Sequence, residues 1–107
     1  MDRKEIKPVL KFIEAIKKSC KPVKIYLFGS RARGEGLAES DYDFLIISPV
    51  FRNLPYLKRG SKVLRHHPRT VSIDIVCLTP EEFELELGKP TLVQSIVDEG
   101  IELTATT

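Results

Sequence analysis

The chain has 107 residues, 42% of them hydrophobic and 30% charged, with a formal net charge of +2, which suits one domain with a core of its own and leaves little room for a second. No apolar run approaches the ~20 residues of a membrane span, and the charged N-terminus has no apolar signal core, so neither a membrane anchor nor export is expected. The two cysteines, Cys20 and Cys77, match no metal spacing; free thiols in a reducing cytoplasm are the expectation, with Cys77 packing as a small hydrophobe.

Lys4 to Ser19 reads as an amphipathic helix, with Ile6, Val9, Leu10, Ile13 and Ile16 at helical spacing and Asp2 and Glu5 as an N-terminal capping pair. Pro8 fits best in a first turn, so the helix starts nearer Lys7 or bends there. Val23 to Phe28 is a first strand, apolar on both faces apart from Lys24 and therefore central. Ser30 to Gly34 suits a short helix and Glu35 to Ser40 a loop. A second strand runs from Asp43 to Ile47. Tyr56 to Arg65 is expected as a helix with Leu57, Val63 and Leu64 inward, weakened by Gly60. Val71 to Leu78 is a third strand, with Asp74 on the face of Ser72, Val76 and Leu78. Thr79-Pro80-Glu81-Glu82 opens a helix that ends at Gly88. Pro90 to Glu99 forms another, closed by Gly100, and Ile101-Glu102-Leu103 adds a short edge strand. This order gives an α/β (α+β) sandwich with a small mixed sheet flanked by helices.

The chemistry concentrates between Gly29 and Asp43. The first strand ends in Gly29-Ser30, and the second opens with Asp41-Tyr42-Asp43. Gly29 allows a sharp turn and a close approach to a ligand. Ser30 offers a hydroxyl and a backbone N–H where phosphate oxygens can bind. Asp41 and Asp43 point to one face of a strand, their Cα atoms roughly 6.5–7 Å apart, and can converge on a hard cation such as Mg²⁺. Tyr42 points the other way, into the core. A buried strand tolerates two carboxylates at its start only if cations or donors compensate them. A phosphate cradle beside a carboxylate pair describes a site for a metal-bound nucleoside triphosphate. Arg31 and Arg33 flank the turn, and the fork of either can clamp phosphates, Arg33 being the better placed.

This set resembles the minimal nucleotidyltransferase family of the polymerase-β superfamily, whose mark is Gly-Ser, about ten residues, Asp-x-Asp, and a third acidic residue on a later strand. Asp74, in Val71-Ser72-Ile73-Asp74-Ile75-Val76, is the match for the third. The resemblance covers nearly the whole chain and implies the nucleotidyltransferase fold. It implies that Asp41, Asp43 and Asp74 are catalytic and hold one or two Mg²⁺ ions, with Mn²⁺ as a substitute. It implies that Gly29 and Ser30 bind the terminal phosphates of a nucleoside triphosphate, ATP foremost. Minimal members are typically encoded beside a small helical protein of the HEPN class, as antitoxins, and some adenylylate that partner. The implied activity is transfer of AMP to a hydroxyl acceptor on such a partner. About thirty residues follow Asp74, so no appended acceptor-binding domain is expected.

Two other classes compete with this reading. One is an antitoxin that neutralises its partner by contact alone; three intact aspartates argue against it. The other is a nucleic-acid-binding module. From Phe44 to Ile73 there is no acidic residue, while Arg52, Lys58, Arg59, Lys62, Arg65 and Arg69 gather there with His66 and His67. The span lacks the aromatic interleaving of a stacking platform, and serves as a partner surface or a solvated face. The two histidines are expected to be solvent-exposed bystanders.

Overall fold

Proline sets the start of the first helix. In the computed structural model, which describes residues 6–34 and 41–104, Lys7–Val9 form a 3-10 turn with Pro8 in its first positions. The α-helix proper, α1, runs Leu10–Ser19. Proline has no N–H to give an interior helical position, and its fixed φ suits a first turn, so the change from 3-10 to α falls just after it. The expected capping pair, Asp2 and Glu5, lies outside the described residues. α1 buries Phe12, Ile13 and Ile16. Phe12 was not part of the expected stripe; its ring centroid lies 5.8 Å from that of Phe44.

Four strands form one mixed sheet: β1 (Lys24–Phe28), β2 (Tyr42–Ile47), β3 (Ile73–Leu78) and β4 (Ile101–Glu102), in the order β3-β2-β1-β4. β1 runs antiparallel to β2 and β4, and β2 runs parallel to β3. A parallel pair needs a crossover. Here it consists of a 3-10 turn at Pro49–Asn53, capped by the Ser48 hydroxyl, and α2 (Tyr56–Leu64). Side-chain alternation then divides the core in two. Ile25, Leu27, Tyr42, Phe44 and Ile46 pack with α1 and with Val63 of α2. Tyr26, Leu45 and Ile47 pack under Phe83 of α3 (Pro80–Glu86) and under Val93 and Ile96 of α4 (Leu92–Glu99). β2 is therefore covered on both faces, and each fully buried side chain of this size contributes about 1.5–3 kcal/mol. This is the α+β arrangement expected from the order of elements.

α2 departs from its expected orientation. Leu57 is 91% exposed and Leu64 also faces solvent; of the three expected inward residues only Val63 is buried. Arg59 turns inward instead, 6% exposed. Its Nε donates to the Leu54 carbonyl at 3.1 Å and its Nη1 to the Cys77 carbonyl at 3.2 Å. Its fork meets the Glu82 carboxylate at 2.5 and 3.2 Å. Glu82 also completes a capping box with Thr79 at the start of α3, accepting from Thr79 N at 2.8 Å. The hydrogen bond from Arg59 holds the Glu82 carboxyl below its ordinary range. Arg52 pairs with Glu81 through two hydrogen bonds on the surface. Two of the six bases between residues 52 and 69 thus answer acids on α3 and are not free for a partner.

Cys20 and Cys77 are both free and buried. Burial pushes the Cys77 thiol up to about 12, which keeps it a neutral, inert packing group. No helix among the described residues is long and apolar enough to cross a membrane.

Candidate active site

The glycine turn and the carboxylates meet at one edge of the sheet. β1 ends where β2 begins, and Phe28 pairs with Asp43. β3 begins alongside, and Asp43 pairs with Asp74. The last residue of β1 and the second residues of β2 and β3 therefore stand in one row. Alternation puts Asp43 and Asp74 on the α3–α4 face, and Asp41, just ahead of β2, shares their parity. Tyr42, of opposite parity, is buried as expected, 2% exposed.

Gly29 has a φ of +76°, and a Cβ at this position would overlap Oδ2 of Asp43. Left-handed backbone and carboxylate contact each require glycine here. Its carbonyl accepts from Ala32 N at 3.1 Å and Arg33 N at 3.3 Å, while Gly34 N donates to the Arg31 carbonyl at 3.3 Å. The result is a single helical turn containing the half-buried Ser30, not the short helix expected from Ser30 to Gly34. Gly34, at φ +72°, takes the chain out of the helical region. The expected loop from Glu35 to Ser40 lies outside the described residues.

Asp43 is half-buried, and Asp41 and Asp74 are exposed. Burial pushes the Asp43 carboxyl above its ordinary value, and the charges of Asp74 and then Asp41 push it the same way. Desolvation and like charge both disfavour a carboxylate, so an ionised Asp43 is held at a cost. Anionic oxygen donors in a row suit a hard cation. Among the described residues no three His, Cys, Asp or Glu side chains form a ready-made metal cage. Mg²⁺ is usually held by one or two carboxylates together with water and substrate phosphates, and an open acidic edge fits that demand.

The two arginines of the turn separate. The Arg31 guanidinium lies 4.3 Å from the centroid of the Tyr42 ring, a cation–π distance. Arg33 lines a cleft of about 280 Å³. Phe28, Gly29 and Arg33 bound this cleft on one side, and Leu92, Ser95 and Glu99 of α4 on the other. Gly29 thus touches both the acidic row and the cleft. His66 and His67 close α2 with backbone turns to Val63 and Leu64 and do not line the cleft. They are half-buried, not the exposed bystanders expected. The α4 wall has no counterpart among the expected site residues. Its trace in the sequence is Leu92, Ser95 and Glu99 at i, i+3 and i+7, one helix face separate from the core-facing Val93 and Ile96.

A tight glycine turn beside paired acids, on a mixed sheet covered by helices on both faces, is the frame of a nucleotidyl-transferring domain. The family model described as "Nucleotidyltransferase domain" matches residues 9–103, and the chain belongs to that family. Among solved structures, a candidate nucleotidyltransferase from Sulfolobus solfataricus is similar at a TM-score of 0.61 and 26% identity, over 77% of this chain and 73% of that one. BolA1 from Arabidopsis thaliana is similar at a TM-score of 0.57 and 20% identity, over 70% of this chain and 94% of that one. The BolA domain of SufE1 from the same plant gives 0.54 and 20%, over 68% and 92%. The two BolA likenesses speak to the fold alone. No curated protein matches the chain.

Proposed function

We propose that the chain is a minimal nucleotidyltransferase that uses Mg²⁺, or Mn²⁺ in its place, to transfer AMP from ATP to a hydroxyl of a small helical partner of the HEPN class, as the antitoxin of a toxin–antitoxin pair. The observation that carries the chemistry is the row formed by Asp43 and Asp74 in register, with Gly29 packed against the Asp43 carboxylate. Asp41, Asp43 and Asp74 are the residues to hold the divalent ions. Such ions, when bound, supply Lewis-acid activation of the acceptor hydroxyl and neutralise charge on the triphosphate. Gly29 N–H and Ser30 bind the terminal phosphates, and Arg33 steadies them with its fork of donors. The acceptor oxygen bonds to the α-phosphorus as its proton passes to water. The bond from that phosphorus to the bridging oxygen breaks, and pyrophosphate leaves. The chain's own contribution is positioning and electrostatic stabilisation.

The partner reading rests on the family resemblance, together with Lys58, Lys62, Arg65 and Arg69, which remain for an acidic surface once Arg52 and Arg59 are set aside. The test is incubation with Mg²⁺, ATP labelled at the α-phosphate, and the product of the neighbouring gene. The label should appear on the partner and vanish with a chelator. A partner neutralised without any label would favour the antitoxin that acts by contact alone.

A further inference from the structure

The turn from Gly29 to Gly34 meets the start of β2 from both faces of the sheet. On the acidic face, Gly29 lies against the Asp43 carboxylate. On the other face, Ala32 packs against the core beneath α1, and the Arg31 guanidinium lies 4.3 Å from the centroid of the Tyr42 ring. Tyr42 is a fixed reference point. It is buried, its ring stacks on that of Phe44 at 6.3 Å and 8°, and its N–H donates to the Ser72 carbonyl at 3.0 Å, just ahead of β3. It is also the residue between Asp41 and Asp43. A guanidinium seated on this ring is therefore tied to the segment that carries two of the three aspartates.

We infer that Arg31 is a positioning residue for nucleotidyl transfer: through Tyr42 it fixes the glycine turn at a set distance from the aspartate row. The inference rests on the nucleotidyl-transfer reading, and it leaves the phosphate clamp to Arg33. A planar guanidinium stacks on an aromatic face, and the attraction strengthens as the pair loses water; Arg31 is half-buried and Tyr42 buried. The turn needs such a hold. It is bounded by glycines at φ +76° and +72°, residues of wide conformational freedom, and Arg31 lies between them. The reaction needs the groups on the turn and the ions at the row to act on one triphosphate, and a misplacement of about 1 Å can cost about 100-fold. Removing Arg31 takes away no group assigned to the phosphates. Its loss therefore falls on kcat and not on KM.

The experiment compares the wild type with Arg31→Ala, Tyr42→Leu, Tyr42→Phe and the double variant Arg31→Ala/Tyr42→Leu. Transfer is followed with Mg²⁺, ATP labelled at the α-phosphate and the product of the neighbouring gene, and thermal melts report folding. Arg31→Ala and Tyr42→Leu should each lower kcat about tenfold, with KM for ATP within about threefold of wild type. Tyr42→Phe keeps the ring face and should stay close to wild type. The double variant should be no worse than either single one, because both remove the same contact. In protein free of nucleotide and metal, the amides of Ala32 and Arg33, which donate to the Gly29 carbonyl, should exchange faster in Arg31→Ala, while those of Leu45 and Ile46 keep their rates. Should Tyr42→Leu fail to fold, this exchange and the kinetics of Arg31→Ala decide the matter. A loss of ATP affinity in Arg31→Ala with amide exchange unchanged would make Arg31 a phosphate clamp and overturn the inference. Additive losses in the double variant, or full activity in Arg31→Ala, would overturn it as well. Absence of transfer in the wild type would instead remove the nucleotidyl-transfer reading, and the role of Arg31 with it, before any variant is made.

Discussion

The two ends of β3 treat charge in opposite ways. At its start, Asp74 stands in register with Asp43, and burial together with the charges of Asp74 and Asp41 raises the Asp43 carboxyl. Beyond its far end, Arg59 is buried but answered on every side, by the carbonyls of Leu54 and Cys77 and by the Glu82 carboxylate. Charge that is compensated within the chain holds elements together; it ties α2 to β3 and α3. Like charges left facing one another are the mark of a site that awaits an ion or substrate. The same strand thus carries a structural charge cluster at one end and, on the proposed reading, a functional one at the other.

Substitution should separate the two ends. Asp74→Asn is expected to cut nucleotidyl transfer about 100-fold or more while leaving the melting temperature in metal-free buffer unchanged or slightly raised, since it removes a repulsion. A large loss of melting temperature with transfer intact would make Asp74 structural and erase the contrast. Arg59→Ala should do the reverse. It leaves the buried Cys77 carbonyl, the part-buried Leu54 carbonyl and the half-exposed Glu82 carboxylate without their guanidinium partner, and urea denaturation should show a loss of about 1–3 kcal/mol, with Mg²⁺–ATP affinity of the folded fraction unaltered.

Acid titration sharpens the comparison, because the two carboxyls shift in opposite directions. Glu82 is held below its ordinary 4.5, so its stabilising contribution is present above that pH and is lost as the pH falls through its folded value. Glu82→Gln should therefore be less stable than wild type at neutral pH, with the difference shrinking in acid. Asp43 is held above its ordinary 3.8, so the folded state prefers the proton and stability drains as the pH rises. Asp43→Asn should be the more stable protein at neutral pH in metal-free buffer, the difference closing in acid. Thermal melts across this range check both signs. The smallest effect belongs to the exposed Arg52–Glu81 pair: Arg52→Ala should leave the melt essentially unchanged, because solvent screens such pairs.

Much of the candidate site was legible because it is local. Gly29-Ser30 at a strand end and Asp41 and Asp43 at a strand start are patterns of neighbours, and the apolar run around Asp74 marks a strand in which a lone acid stands out. The two strands lie in register, which sequence spacing alone could not state. Arg59 was not legible as a buried residue, because its compensation comes from Glu82, 23 residues away, and periodicity favours leucines over an arginine at inward positions. The same displacement put Leu57 and Leu64 outside. The short helix expected after Gly29 became one turn because Gly34 leaves the helical region at φ +72°. α4 was legible as a packing helix through Val93 and Ile96, but its second face gains meaning only when the turn at Gly29 is brought opposite it.

The central claim is that the acidic row beside Gly29 is a metal–nucleotide site, and titration calorimetry of ATP into the wild-type protein tests it most directly. In Mg²⁺ the account predicts saturable binding at one site, sharply weakened by a chelator and by Asp74→Asn. Equal ATP affinity with and without divalent metal, in wild type and Asp74→Asn alike, would contradict it.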